Sequence, residues 1–326
     1  MKRTMLKYTL GLGLLLSAIV FFLAGCGDTG KSTEDQEDTG VKVMTTFYPM
    51  YNFAKEVVGD QGTVELLIPS GTDAHDFEPS AKDIAKISDA DVFVYNSNEF
   101  ETWASDVLAN IDQDQVQVVE ASKDIDLLTS EEEDDHDHEG EDQETHDDHD
   151  HSHDVDPHVW LDPVLAQKEV EAIRDGLISK YPGKKEAFTR NADAYIEKLQ
   201  ALDADYKEAL THAKNKTFVT QHAAFGYLAN EYGLTQESIS GISPDQEPSP
   251  SRLAELKKYI DEHQVSVIYF EATASSKVAE TLAKETGVEL SVLQTLESLT
   301  EDEQKAGKDY ISVMQENLEA LKKSIK

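Results

Sequence analysis

From Lys184 to Lys214 the chain reads KKEAFTRNADAYIEKLQALDADYKEALTHAK. Phe188, Ala192, Tyr195, Leu199, Leu202 and Tyr206 recur at spacings of three or four, with no Gly or Pro between them. That is the apolar stripe of a helix, and some 30 residues at 1.5 Å each reach roughly 45 Å. Few helices inside a single domain are so long, so this one is expected to span two lobes. On its N-terminal side, β-type runs at 41–47, 63–69, 91–96 and 116–121 alternate with helical patterns. On its C-terminal side, runs at 217–221, 265–271 and 288–293 do the same. Strands alternating with helices predict mainly parallel sheets covered on both faces. The expected fold class is therefore α/β: two similar lobes, 41–183 and 215–326, joined by one long helix over 184–214. A helical region opening at Pro163 is expected to be interrupted between Gly176 and Gly183, and a single last helix is expected from about Glu301 to Lys323.

The chain has 326 residues, with 29 Lys and Arg against 65 Asp and Glu, a net charge of −36. Such a surface repels phosphate backbones, and nucleic-acid binding is not expected. Cys26 is the single cysteine, which excludes an intramolecular disulfide and any cysteine-rich metal site. It ends a leader: Lys2, Arg3 and Lys7 precede a run that is apolar from Leu10 to Ala24 apart from Gly11, Gly13 and Ser17. The run is short for a membrane span and has the layout of a signal peptide over 1–25. Leu23-Ala24-Gly25-Cys26 resembles a bacterial lipobox, which implies lipid on Cys26 and attachment to the extracytoplasmic face of the cell membrane. Residues 26–40 carry almost no apolar side chain and are expected to be a flexible tether.

Residues 131–156 read EEEDDHDHEGEDQETHDDHDHSHDVD, with 15 acidic residues, six histidines and no basic one. A segment of this composition has nothing to pack and is expected to form a mobile loop. Solubility would account for the acids but not for His136, His138, His146, His149, His151 and His153. Neutral imidazoles in an acidic tract are expected to collect divalent cations at modest affinity.

Three further histidines fall at strand-to-helix transitions: His75 after 63–69, His158 in DPHVWLDP, and His222 after 217–221. Ligand sites of open α/β sheets lie beyond the C-terminal ends of strands. Three imidazoles leave one place for a carboxylate at a four-coordinate zinc ion, and Glu297, after 288–293, is placed to supply it. Spacing alone does not enforce this set, for no HExxH or CxxC motif ties the residues together. Asp245, Glu247 and Glu271 are acidic alternatives or supporting groups. His212 and His263 are expected to be exposed or structural. Trp103 and Trp160 are expected to fill the core or to wall the site.

The motifs TTFYP, GTDAHDFEPS, DPHVWLDP after a histidine-rich insertion, TQHAAFGYL, GISPDQEPSP and IYFEATASSKVAETLAKETG resemble those of the zinc-specific solute-binding lipoproteins of bacterial ABC importers, a branch of a group that also binds manganese. The resemblance runs from about Val41 to Lys323. It implies two α/β lobes joined by a long rigid helix, with Zn²⁺ between them on His75, His158, His222 and Glu297. It also implies a non-enzymatic, monomeric protein that hands its ion to an importer permease. The manganese branch usually has a carboxylate where this chain has His222. Many zinc-branch members have Asn or Asp followed by Pro before the last Leu-Glu pair, where this chain has Gln294-Thr295-Leu296-Glu297. A second zinc-binding domain found in some relatives is not expected after Lys326. The competing readings are a manganese-binding protein, a secreted zinc hydrolase and an adhesin-like surface lipoprotein.

Overall fold

The computed structural model describes residues 40–129, 155–244, 246 and 248–326. The leader, Cys26 and the tether up to residue 39 lie outside these residues. So do the six histidines of the acidic tract, and Asp245 and Glu247. Among the described residues no helix is long and apolar enough to cross a membrane.

The N-terminal lobe runs β1 (Val41–Thr45), α1 (Tyr48–Val58), β2 (Gly62–Leu66), α2 (Ala81–Ser88), β3 (Val92–Tyr95), α3 (Ala104–Leu108) and β4 (Gln117–Glu120). Its strands form one parallel sheet in the order β2-β1-β3-β4, with Val43 facing Val64 on one side and Val92 on the other. A two-residue antiparallel pair follows, β5 (Leu128–Thr129) with β6 (Val155–Asp156). Two helices come next, α4 (Pro163–Lys180) and α5 (Lys185–Leu210). The C-terminal lobe runs β7 (Thr217–Thr220), α6 (Gly226–Tyr232), β8 (Thr235–Ser238), α7 (Pro250–Glu262), β9 (Val267–Phe270), α8 (Lys277–Thr286) and β10 (Glu289–Val292). Its sheet is also parallel, in the order β10-β9-β7-β8. The short α9 (Glu301–Lys305) and α10 (Tyr310–Leu321) close the chain.

The two-lobed α/β architecture with a long connecting helix is as expected, although α5 spans 26 residues rather than some 30. Its stripe Phe188, Ala192, Tyr195, Leu199, Leu202 and Tyr206 is buried along the whole length. That stripe belongs to a core continuous from Val41 and Phe53 of the first lobe to Phe218 and Tyr269 of the second. A smaller core under Val219, Leu256 and Ile268 belongs to the second lobe alone.

One expectation is narrowed and one requires correction. The interruption expected between Gly176 and Gly183 falls only at the far end of that stretch, because helix α4 runs unbroken through Gly176 and stops at Tyr181. Gly176 is a packing residue: a Cβ there would lie 2.2 Å from Val119 Cγ2, so glycine lets the helix seat against β4. The last helix is two helices. Gly307 turns the chain at φ +75°, and Asp309 caps α10 through Ser312 in a reciprocal capping box. The elements α3, α7 and β8 were not anticipated. Helix α3 has five residues, and β8 reads TQES, too polar to stand out as a strand.

Candidate metal centre

The two sheets carry their C-terminal strand ends to one cleft. His75 lies in the loop after β2 and His158 in the turn between β6 and α4, while His222 follows β7 and Glu297 lies five residues beyond β10. Their side chains meet. His158 Nε2 is 3.3 Å from His75 Nε2 and 3.3 Å from His222 Nε2. Glu297 Oε1 lies 3.5 Å from His75 Nε2, 3.6 Å from His158 Nε2 and 3.5 Å from His222 Nε2. Donors placed tetrahedrally at zinc distances of 2.0–2.1 Å would stand about 3.3–3.4 Å apart. The observed separations match that edge, and all four donor atoms lie within 4.8 Å of one another. His158 and His222 are fully buried, Glu297 is 7% exposed, and His75 is the most open of the four. Glu297 Oε1 is buried without a hydrogen-bond donor, as a carboxylate oxygen meant for a cation would be.

Each buried imidazole is oriented from behind. Asp156 Oδ1 accepts from the His158 backbone N–H at 2.9 Å and stands 2.7 Å from its Nδ1. Glu271 Oε1 stands 2.5 Å from His222 Nδ1. Both contacts place a hydrogen on Nδ1 and turn Nε2 toward the cluster, so that the neutral form of each ring aims its lone pair there. Asp156 is itself fixed by the other lobe: its carbonyl accepts from the Tyr227 hydroxyl at 2.6 Å, and that hydroxyl accepts from Leu128 N–H at 2.8 Å. Helix α6 can come this close because it starts at Gly226, where a Cβ would lie 2.6 Å from Asp156 Oδ2. Phe100 packs edge-on to His75 at 4.8 Å, and Trp160 lies 5.1 Å from His158. Trp160 therefore both fills the core and walls the site. Trp103 packs against Phe77 and Phe93 and lines a surface depression that His75 also borders.

Charge follows geometry. Burial alone would depress the His222 pKa, but the Glu271 carboxylate and then Glu297 outweigh it and raise the ring to about 10. His158 is raised in the same way, against its burial, by Asp156 and Glu297. Burial works to raise Glu297, and the surrounding imidazoles overcome it and hold the carboxyl well below the usual carboxylate range. Of the acidic alternatives, Glu271 is a supporting group rather than a member of the cluster. His212 is exposed, and His263 is exposed and stacked on Tyr259. Asp156 was missed as a supporting group. The one signal for it is its place in DPH, two residues before His158.

Fold and site together define a two-lobed α/β protein with a four-donor, metal-sized cluster in the cleft between its sheets. Comparison with known proteins narrows the class. The chain belongs to the family described as zinc-uptake complex component A, periplasmic, whose model matches residues 43–324. It is 51% identical over 315 residues to the high-affinity zinc uptake system protein ZnuA of Bacillus subtilis, covering 96% of this chain and 97% of that one. It is 52% identical over 311 residues to the zinc-binding lipoprotein AdcA of Streptococcus pneumoniae, covering 95% of this chain but 60% of that protein. The chain thus spans about three fifths of the AdcA length. Among solved structures, the Zn(II)-bound ZnuA-like domain of S. pneumoniae AdcA matches with a TM-score of 0.74 at 51% identity, over 88% of this chain and 99% of that one. The laminin-binding protein Lmb of Streptococcus agalactiae, described as having adhesin and metal-transporting activity, matches with a TM-score of 0.75 at 38% identity, over 88% and 100% of the two chains.

Proposed function

We propose that this protein captures Zn²⁺ outside the cytoplasm and delivers it to the permease of an ABC importer, with His75, His158, His222 and Glu297 as the ligands. The observation that carries the reading is the convergence of three Nε2 atoms and one carboxylate oxygen at the edge lengths of a zinc tetrahedron. Imidazole at three positions favours zinc over manganese, which prefers oxygen donors. A fourth protein donor closes the coordination shell, whereas a hydrolytic zinc site keeps that position for water. The reading is therefore of a carrier, in which zinc is cargo. Lipid on Cys26 would hold the carrier at the membrane. The acidic histidine tract would raise the local zinc concentration near the cleft, since the β5–β6 pair at its root ends two residues before His158.

The test is a titration of metal-free protein with zinc against a chelator of known affinity, with manganese as competitor, on the intact chain and on one lacking 131–154. One tight zinc that survives the deletion and is lost in His158→Ala is expected. Loss of tight binding on deleting the tract would move the site there. A preference for manganese would overturn the choice of metal.

A further inference from the structure

Glu297 comes from the C-terminal lobe, yet the backbone around it is held from both lobes. The Trp160 indole N–H donates to Thr295 O at 2.8 Å, and the Ser70 hydroxyl donates to Leu299 O. From its own lobe, Asn317 on α10 brackets Gln294, accepting from its N–H at 2.8 Å and donating to its carbonyl at 2.8 Å. All of 293–299 is buried. Between the two clamps and Glu297 sits Leu296, at φ +62° and 1% exposed. A leucine takes this left-handed conformation only where its surroundings impose it, and relaxation to an ordinary φ would redirect the next side chain. His222 answers to its own lobe instead: its carbonyl accepts from Thr220 Oγ1 at 2.7 Å and its ring is backed by Glu271.

We propose that Trp160 and Asn317 are positioning residues of the metal site, which aim Glu297 at the three imidazoles by fixing the carbonyls of Gln294 and Thr295 ahead of the left-handed Leu296. The inference rests on the zinc reading above and extends it. Glu297 is thereby referenced to both lobes, through Trp160 and Ser70 of one and Asn317 of the other.

The probe is Co²⁺ at no more than one equivalent on the full chain, because four-coordinate cobalt has intense visible bands that weaken when a ligand is exchanged or added. Trp160→Phe keeps a ring and removes the donor. Asn317→Asp keeps the acceptor and turns the donor into a second acceptor facing the Gln294 carbonyl, without removing volume from the core. Each is expected to weaken and shift the cobalt bands and to lower zinc affinity about tenfold, the scale of one lost buried hydrogen bond. In a Glu297→Gln background neither is expected to lower affinity further, because the ligand they position has already been changed. A packing defect alone would lower thermal stability but leave the cobalt spectrum as in the parent. Parental spectra in both variants, or losses that simply add to that of Glu297→Gln, would overturn the positioning role and leave the zinc site standing. Absence of four-coordinate bands in the unmutated protein would overturn both.

Discussion

Two carboxylates outside the four-donor cluster set its chemistry. Glu271 behind His222 and Asp156 behind His158 hold each ring with its Nδ1 hydrogen outward and its Nε2 inward. Groups in this position usually change metal affinity 10- to 100-fold when altered. Glu271→Gln is expected to weaken zinc by about that much while leaving the stoichiometry at one, as read by chelator competition. The same carboxylate sets a pH dependence. In the fold the His222 pKa rises from 6.5 to about 10. Its contribution to metal-free stability is complete below about 6.5 and is lost as pH rises through about 10. Zinc requires the neutral ring, so its affinity moves the other way and increases over that window. The rise in melting temperature caused by zinc is accordingly expected to be larger at about pH 9 than at about pH 6. An equal or smaller rise at the higher pH would exclude His222 as the ring the proton leaves.

Helix α4 shows what a buried element tolerates. Glu169 projects from it into the core, fully buried, with neither carboxyl oxygen bonded to a donor. Burial, then the charges of Glu101 and Asp162, raise its pKa well above the ordinary value. A raised carboxyl destabilises the fold increasingly as pH climbs from the ordinary glutamate range toward the elevated pKa. Glu169→Met, a helix former of similar length, is expected to add about 1–3 kcal/mol at neutral pH and little at about pH 4. Chemical denaturation at both values checks this, and a loss of stability at neutral pH would mean the carboxyl has a partner in solution.

The same helix marks how far sequence reasoning reaches. The stripe of α5, the parallel strands and the strand-end placement of His75, His158, His222 and Glu297 all follow from local periodicity and from where turns fall. Gly176 was misread because its partner is Val119, 57 positions away, and no local pattern reports such a contact. The split at Gly307 was legible from the Gly307-Lys308-Asp309 sequence but was overridden by the apolar spacing on either side of it. For the site, residue types and loop positions suggested the donors. Their convergence depends on sheet order and on the Trp160–Thr295 and Tyr227–Asp156 contacts across the chain, which no spacing encodes.

Lobes joined by a linker often melt one at a time, but these share their main core. Tyr206 on α5 donates to Met314 O at 2.7 Å, Tyr310 donates to Trp160 O at 2.5 Å, and Phe53 packs on Tyr310 at 4.9 Å. Calorimetry of the metal-free protein is expected to show one transition whose calorimetric and van't Hoff enthalpies agree. Two resolved peaks would mean that the smaller core beneath Val219 and Leu256 unfolds independently. If the chain opens only as a whole, it also offers its interior to proteases only as a whole. Cleavage through global opening then slows in step with metal binding, at positions far from the cleft as well as within it. On a cell surface where proteases are active, metal-starved copies would be digested first, and lifetime itself would become a record of zinc supply.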